Sequence, residues 1–207
     1  MKLYYSPGAC SLSPHIALRE AGLSFSLEKV DLRTKALASG GDFRSLSPKG
    51  YVPALQLEDG ALLTEGPAIV QYIADQAPQS GLAPAAGTMQ RYRLIEWLTY
   101  INSELHKAFS PLFNPATSDD AKEAYRAALA KKFDFVSQSL GERAYLLGDA
   151  FSVADAYLFT VLRWCHYVGV NLEQWPVLKA FFERVASRPM VHAAMVAEGL
   201  IKTAPQH

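Results

Sequence analysis

The stretch KLYYSPGACSLSP, Lys2 to Pro14, decides how this chain begins to fold. Its first four residues are a strand candidate, Ser6-Pro7-Gly8 is a turn, and a helical pattern opens at Cys10. A thiol at the start of a helix lies near unpaired backbone N–H groups and at the positive end of the helix dipole, which favours the thiolate. Cys10 is therefore our first candidate for chemistry, and the competing interpretation is a small hydrophobic residue of the core.

A Cys-x-x-Ser pattern runs from Cys10 to Ser13, which is the Cys-x-x-Cys redox motif with a hydroxyl in place of the second thiol. Cys165 is the only other cysteine, and its apolar surroundings predict core packing. Two cysteines do not make a disulfide framework, so we expect a reducing compartment. Because the sequence has neither a signal-peptide pattern nor an apolar run near the ~20 residues of a membrane span, we expect a cytoplasmic protein.

The bulk composition excludes several classes of function. Half of the 207 residues are hydrophobic and 19% are charged, which is typical of a soluble globular enzyme. Lys and Arg total 20, as do Asp and Glu. Without a basic excess the chain has no electrostatic reason to bind nucleic acid or an anionic membrane, so we expect neither as a partner. No His, Cys or Asp cluster has metal-site spacing, and we expect no metal.

Strand and helix signals alternate over residues 1–77. The strand candidates are Lys2–Tyr5, Phe25–Val30, Ala54–Glu58 and Ala61–Leu63, and the helical patterns are Ser11–Ala21 and Ala68–Gln76. Gly22 predicts the end of the first helix, and Asp59-Gly60 predicts a hairpin. This order predicts an α/β domain with a small mixed sheet covered by helices.

Residues 78–86, rich in Pro, Ala, Gly and Ser, predict a linker. Helical patterns follow at about Thr88–Phe113, Ser118–Leu140, Ser152–Tyr167, Trp175–Ser187 and Pro189–Ala197. We therefore expect an all-α helical domain over residues 87–207. Ser152 and Asp155 form a capping box at the start of an apolar helix, so we expect Asp155 to be structural and not catalytic.

Two short segments of the first domain suit a ligand through their backbone. Val52-Pro53 comes directly before the third strand candidate, and a cis bond there would present the backbone of Val52 as an edge for a peptide-like ligand. Glu65-Gly66 lies where the hairpin meets the next helix, whose first amides suit a carboxylate. Glu65 itself suits an amine, and the alternative is that it only complements the helix dipole.

His106 is the candidate of the second domain. It belongs to a polar row on the helical pattern that begins at Thr88, with Glu96, Thr99, Ser103 and Lys107. Such a row is usually a solvated face, but a histidine titrates near neutrality and could serve a sulfur or a carboxylate. Phe109, Phe113 and Trp164 are aromatic candidates for an apolar pocket, and core packing explains them equally well.

Five segments in order resemble the glutathione transferases, specifically the bacterial beta class. They are Tyr4–Ser11, Ser47–Leu55, Leu63–Ile69, Phe151–Tyr157 and Ala197–Leu200, and the resemblance covers nearly the whole chain. It implies an α/β, thioredoxin-like N-terminal domain, an all-helical C-terminal domain and a homodimer. It also implies glutathione as co-substrate.

The resemblance assigns roles to residues of the first domain. Cys10 would meet the sulfur of glutathione, and backbone groups of Val52, ahead of a cis Pro53, would pair with its cysteinyl part. Glu65 and Gly66 would hold the γ-glutamyl end. Lys35 would approach the glycyl carboxylate.

In this class the partner subunit contributes to the site. The residues that match those positions are Thr99, Ser103, Glu104 and His106, with His106 facing the sulfur.

Two positions depart from the family pattern. Gly66 stands where a serine is usual, which removes a hydroxyl donor and a net ~0.5–1.5 kcal/mol. Thr99 replaces a more typical asparagine, so one hydroxyl donor stands in place of two amide donors.

The resemblance implies an enzyme that conjugates the glutathione thiolate to small apolar electrophiles. One alternative is a glutathione-dependent thiol-disulfide transferase in which Cys10 is the nucleophile. Another is a non-catalytic protein that binds glutathione or apolar ligands, since a fold does not fix a function. The sequence leaves open whether Cys10 attacks or only contacts the sulfur of glutathione.

Overall fold

The structure is a computed structural model that describes residues 1–202, so residues 203–207 of the expected helical domain lie outside the described part. One compact unit comprises Met1–Ala83 with residues 187–202, and the other is Pro84–Ala186. The strands are β1 (Lys2–Tyr5), β2 (Ser26–Lys29), β3 (Ala54–Gln56) and β4 (Leu62–Thr64). The α-helices are α1 (Leu12–Glu20), α2 (Gly66–Gln76), α3 (Met89–Tyr100), α4 (Lys107–Phe113), α5 (Asp119–Leu140), α6 (Val153–Leu162), α7 (Pro176–Ala186) and α8 (Pro189–Ala197). The α/β unit followed by a helical unit confirms the predicted fold class.

The sheet of the first unit is mixed, with strand order β2-β1-β3-β4. β1 is parallel to β2, antiparallel to β3, and β3 is antiparallel to β4. The turn between β3 and β4 contains Gly60 with φ +87°, and the amide of Ala61 donates to Asp59 Oδ1 at 2.9 Å. A side-chain acceptor and a positive φ are what an Asp-Gly turn supplies, so the hairpin prediction is confirmed.

Helix α1 packs in the core of the first unit through apolar residues that recur along its length. Leu12, Ile16 and Leu18 are fully buried, together with Leu3 of β1. Each such side chain stabilises the fold by ~1.5–3 kcal/mol relative to an exposed one. Gly22 follows the end of the helix, as predicted, with a φ of +66°, and the amide of Leu23 closes the end by donating to the carbonyl of Leu18.

The last helix, α8, packs against α1 and belongs to the first compact unit. The division by composition assigned this helix to the helical domain, because its pattern is continuous with the helices before it. Composition does not reveal that α8 packs against α1. The consequence is that the carboxyl end of α8 approaches the loop that carries Cys10.

The helical pattern predicted over Thr88–Phe113 is interrupted in the structure. α3 ends at Tyr100, a π-helical turn covers Ile101–His106, and α4 continues from Lys107. A π turn keeps apolar residues near a four-residue spacing, so periodicity alone does not reveal it. Within residues 1–202, no helix combines the length and the apolar character that crossing a membrane requires.

Helix α6 is buried along its whole length, as its apolar sequence predicts. Its capping box is present: Asp155 accepts hydrogen bonds from the amide and hydroxyl of Ser152 at 2.8 and 2.7 Å and from the amide of Leu146 at 2.8 Å. Burial raises the pKa of Asp155 to about 6, although these hydrogen bonds oppose the shift. Three satisfied donors make Asp155 a structural residue.

Candidate functional site

The thiol of Cys10 lies where the first loop meets α1. Cys10 is half-buried, and its Sγ atom donates to the backbone carbonyl of Val52 at 3.2 Å. A backbone hydrogen bond from Ala9 to Ser6 closes the turn before Cys10, and one from Leu12 to Ala9 closes the turn that contains it, each 3.0 Å long. A thiolate has no hydrogen to donate, so this contact with Val52 belongs to the protonated form. The carbonyl of Val52 is 42 residues from Cys10 in the chain, so the local pattern that favours a thiolate does not reveal it.

Ser11 fixes the loop beside Cys10. Its hydroxyl accepts from the amide of Ser6 at 3.1 Å and donates to the carbonyl of Ser6 at 3.2 Å. The residue is fully buried. Because its single hydrogen is used by the backbone, Ser11 holds the turn and has none left for a ligand sulfur.

A buried polar network joins the Cys10 loop to the end of α8. Glu198 Oε2 accepts the amide of Gly8 at 2.9 Å, and Oε1 accepts His15 Nδ1–H at 2.8 Å. Arg19 Nε donates to His15 Nε2 at 2.9 Å, which places the proton of the neutral ring on Nδ1. The His15 and Glu198 side chains have no exposed surface. Neither role was predicted from the sequence, in which Glu198 lies in a segment that matches the family and His15 lies in a helical pattern.

Val52 and Pro53 connect the thiol to the next segment of the predicted site. Their peptide bond is cis, and β3 begins directly after it. A Cβ placed on Gly66 would meet only Pro53 Cγ, at 3.9 Å. Cys10 therefore contacts Val52, and Gly66 lies near Pro53, all within the first unit.

Glu65 has a backbone conformation that is uncommon outside glycine, with φ +71°. Such a conformation costs ~1–3 kcal/mol and is concentrated at functional sites. Its carbonyl accepts the amides of Ala68 and Ile69 at 3.0 Å each, and α2 begins at Gly66. Its carboxylate is exposed and accepts Lys49 Nζ at 2.7 Å. Sequence reasoning did not anticipate this lysine.

In the described part of the chain, Lys35 and Glu65 are the two residues other than glycine with a positive φ. The φ of Lys35 is +65°. Its ammonium nitrogen lies 5.6 Å from the ring centroid of Tyr51, within the range of a cation–π contact. The Tyr51 side chain is 70% exposed. A cation held in this way is available to an anionic group in solution.

His106 ends the π-helical turn of the second unit. Its Nδ1 lies 2.7 Å from the hydroxyl of Tyr157, which donates to Asn102 Oδ1 at 2.9 Å. The ring of Trp164 packs edge-to-face against it, with centroids 4.8 Å apart. Burial, and secondarily the charge of Lys107, lowers the pKa of His106 to about 4, so the ring is neutral at pH 7.

The other predicted residues of the second unit are exposed. Thr99 donates its hydroxyl to the carbonyl of Ile95 at 2.8 Å, which leaves it only lone pairs for a ligand. Ser103 is exposed in the π turn, and Glu104 forms an ion pair with Lys132. Within residues 1–202, no group of three or more His, Cys, Asp or Glu side chains could hold a metal ion.

Family models match both parts of the chain. The model described as the glutathione S-transferase N-terminal domain matches residues 8–76, and the model for the C-terminal domain matches residues 100–189. A relative, glutathione S-transferase GstA of Escherichia coli O157:H7, is 52% identical over 200 residues, which are 97% of this chain and 100% of that protein.

Solved structures show the same likeness. A sphingomonad glutathione S-transferase complexed with glutathione is 52% identical, with a TM-score of 0.94 over 97% of this chain and 100% of that chain. A bacterial beta class glutathione S-transferase of Sphingomonas chungbukensis is 51% identical, with the same TM-score and coverage.

Proposed function

This chain belongs to the bacterial beta class of the glutathione S-transferase family, and we propose that it conjugates glutathione to small apolar electrophiles, with Cys10 and His106 serving the sulfur. It is a transferase, and glutathione is its co-substrate. The observation that carries the proposal is the 3.2 Å contact between Cys10 Sγ and the carbonyl of Val52. A peptide-like thiol paired with that backbone would bring its sulfur to Cys10.

We assign the three parts of glutathione to the first unit. The backbone of Val52 takes the cysteinyl part, because an extended peptide can pair with the backbone at the edge of a sheet. The carboxylate of Glu65 suits the γ-glutamyl amine, and the first amide of α2, at Gly66, suits the γ-glutamyl carboxylate. The ammonium of Lys35 suits the glycyl carboxylate. The positive φ of Glu65 and of Lys35 supports these two assignments.

Cys10 acts in this scheme as a hydrogen-bond donor. When the cysteinyl N–H of glutathione donates to the carbonyl of Val52, the S–H of Cys10 turns from that carbonyl to the sulfur of glutathione. A donor placed at a thiolate stabilises it, and hydrogen bonds to charged groups contribute ~1.5–3 kcal/mol.

His106 acts as the base. The thiol proton of glutathione passes to the neutral imidazole, and the thiolate uses its electron pair to form the C–S bond as the leaving group departs with its own. A thiolate beside the ring favours the imidazolium, so ligand binding raises the pKa of His106 from the value that burial imposes. Of the three aromatic candidates, Phe109 and Trp164 are buried core residues, and the exposed ring of Phe113, which packs against Trp164, supplies apolar surface for the electrophile.

The remaining predicted residues belong to the proposed homodimer. Thr99, Ser103 and Glu104 are exposed, and we assign them to the glutathione site to which a partner subunit contributes. The proposed location is the cytoplasm. Balanced charge gives no reason to propose a nucleic-acid or membrane partner.

The alternative functions have less support. A thiol-disulfide transferase with Cys10 as the nucleophile is not favoured, because the similar proteins compared above are named as glutathione S-transferases. A non-catalytic binding protein is less well supported because the similar proteins compared above are named as transferases.

The test is conjugation of glutathione to a chlorinated nitroaromatic by the full chain. We expect turnover above that of buffer, reduced by Cys10→Ala. The matched control is Cys165→Ala, at a buried cysteine of the second unit, which should stay within about twofold of the unchanged protein because it removes one small core group. A folded protein with no turnover over a panel of electrophiles would overturn the proposal.

A further inference from the structure

The hydroxyl of Tyr157 makes two hydrogen bonds in the second unit. It lies 2.9 Å from Asn102 Oδ1 and 2.7 Å from His106 Nδ1. Tyr157 is 2% exposed on the buried helix α6, whereas Asn102 and His106 are only half-buried on the π turn. The tyrosine is therefore the fixed member of the three, and the π turn brings the other two to it.

The direction of the two bonds determines where the proton of the imidazole resides. A tyrosine hydroxyl has one hydrogen, and Asn102 Oδ1 can only accept, so that hydrogen points to Asn102. The same oxygen must then accept from His106, which places a hydrogen on Nδ1. A neutral imidazole has a single N–H, so Nε2 carries the lone pair.

The π turn and the ring of Trp164 both support this arrangement of His106, Tyr157 and Asn102. Asn102 and His106 are four residues apart in the π turn and so project from neighbouring turn positions. Trp164 packs edge-to-face on the imidazole and restricts its rotation. π turns inserted in α-helices are frequent at functional sites.

We propose that Tyr157 is a positioning residue for the transfer reaction: together with Asn102 it fixes the Nδ1–H tautomer of His106 and leaves Nε2 as the atom that accepts the thiol proton of glutathione. The inference rests on the proposed role of His106. In free histidine the Nε2–H tautomer is the more populated one, so without Tyr157 the accepting atom would be lost from most molecules.

The direct test is the tautomer of His106, measured from its ring nitrogens by long-range ¹H–¹⁵N correlation NMR at pH 7 without glutathione. His106→Gln assigns the signals. We expect an unprotonated Nε2 in the unchanged protein and a shift toward Nε2–H in Tyr157→Phe. The matched control is Tyr125→Phe, at a tyrosine that is 43% exposed on α5, which should leave the tautomer unchanged.

Steady-state kinetics distinguish a positioning role of Tyr157 from a role in the stability of the fold alone. Because a general base contributes ~10²–10⁴-fold, Tyr157→Phe should lower kcat by roughly 10- to 100-fold, with KM for glutathione nearly unchanged. Asn102→Ala should act in the same direction, and Asn102→Asp, which keeps an acceptor, should restore the tautomer.

An Nε2–H ring in the unchanged protein, or a tautomer that Tyr157→Phe does not alter, would overturn this inference and leave the proposed function standing. A tautomer change without any loss of kcat would instead overturn the proposed role of His106, and the positioning role with it.

Discussion

Cys10 Sγ donates to the carbonyl oxygen of Val52 across 3.2 Å, so the reactive group of the first loop is joined to the backbone edge that precedes β3. These residues are 42 positions apart in the chain. Two separately predicted features, a thiol at a helix start and a backbone edge for a peptide, are therefore in contact. The contact also gives Cys10 a donor role that serine can imitate.

The donor role predicts different outcomes for two substitutions of Cys10. Cys10→Ala removes the donor, and loss of ~1.5–3 kcal/mol lowers kcat/KM for conjugation by roughly 10- to 150-fold. Cys10→Ser keeps an O–H donor and should retain most of the activity. Steady-state conjugation assays measure both, and a serine variant as impaired as the alanine variant would show that the thiol itself reacts.

Gly66 offers a gain of affinity. A Cβ at this position meets only Pro53 Cγ at 3.9 Å, so a serine fits without displacing its neighbours. Gly66→Ser adds a hydroxyl donor at the start of α2, and a net ~0.5–1.5 kcal/mol lowers the Kd of glutathione by about 2- to 12-fold. Calorimetric titration measures the Kd. Gly66→Ala is the control, with the same Cβ and no hydroxyl; equal affinity of the two variants would contradict the assignment.

Glu198 should hold the Cys10 loop in place. Glu198→Ala removes the acceptor of the buried Nδ1–H of His15 and of the half-buried amide of Gly8, which we expect to lower the free energy of unfolding by about 2–4 kcal/mol. Urea unfolding measures this loss. The control is Glu183→Ala, where an exposed ion pair with Lys179 at 3.9 Å contributes no more than ~1 kcal/mol. Similar losses of unfolding free energy in both variants would show that Glu198 does not stabilise the Cys10 loop.

The pKa of Asp155 predicts how stability depends on pH. Its folded-state pKa, about 6, is raised above the ordinary 3.8, so the folded state binds more protons between those values. Its contribution to stability is complete below about pH 4 and is lost as pH rises through about 6. The difference of about two pKa units corresponds to roughly 3 kcal/mol.

The comparison that isolates this effect is with Asp155→Asn, which does not titrate. Relative to that variant, the unchanged protein should lose stability as pH rises from 4 to 6 and show no further change above 7. Urea unfolding at several pH values measures the difference. A constant difference across the range would mean that the hydrogen bonds to Ser152 and Leu146 fully offset burial.

Local patterns predicted much of the fold. The strand-turn-helix of Lys2–Glu20, the Asp59-Gly60 hairpin and the Ser152–Asp155 capping box each depend on residues close in sequence, and all three are present. These features follow from turn geometry, capping and periodicity, which a single sequence displays.

What the sequence did not predict depends on distant residues. His15 and Glu198 are 183 positions apart, and Tyr157 and His106 are 51 apart. The packing of α8 on α1 likewise brings together the two ends of the described chain. No local pattern encodes such partners, so a lone histidine could not be assigned a tautomer before the structure supplied its neighbours.

The central claim is that the protein binds glutathione and favours its thiolate. The most direct measurement is the ultraviolet absorbance of the thiolate as a function of pH, taken as the difference between protein with and without bound glutathione. We predict that the bound thiol ionises at lower pH than free glutathione, and that His106→Gln, with glutathione still bound, moves the transition back toward the free value. Ionisation of bound glutathione at the same pH as free glutathione would contradict the account.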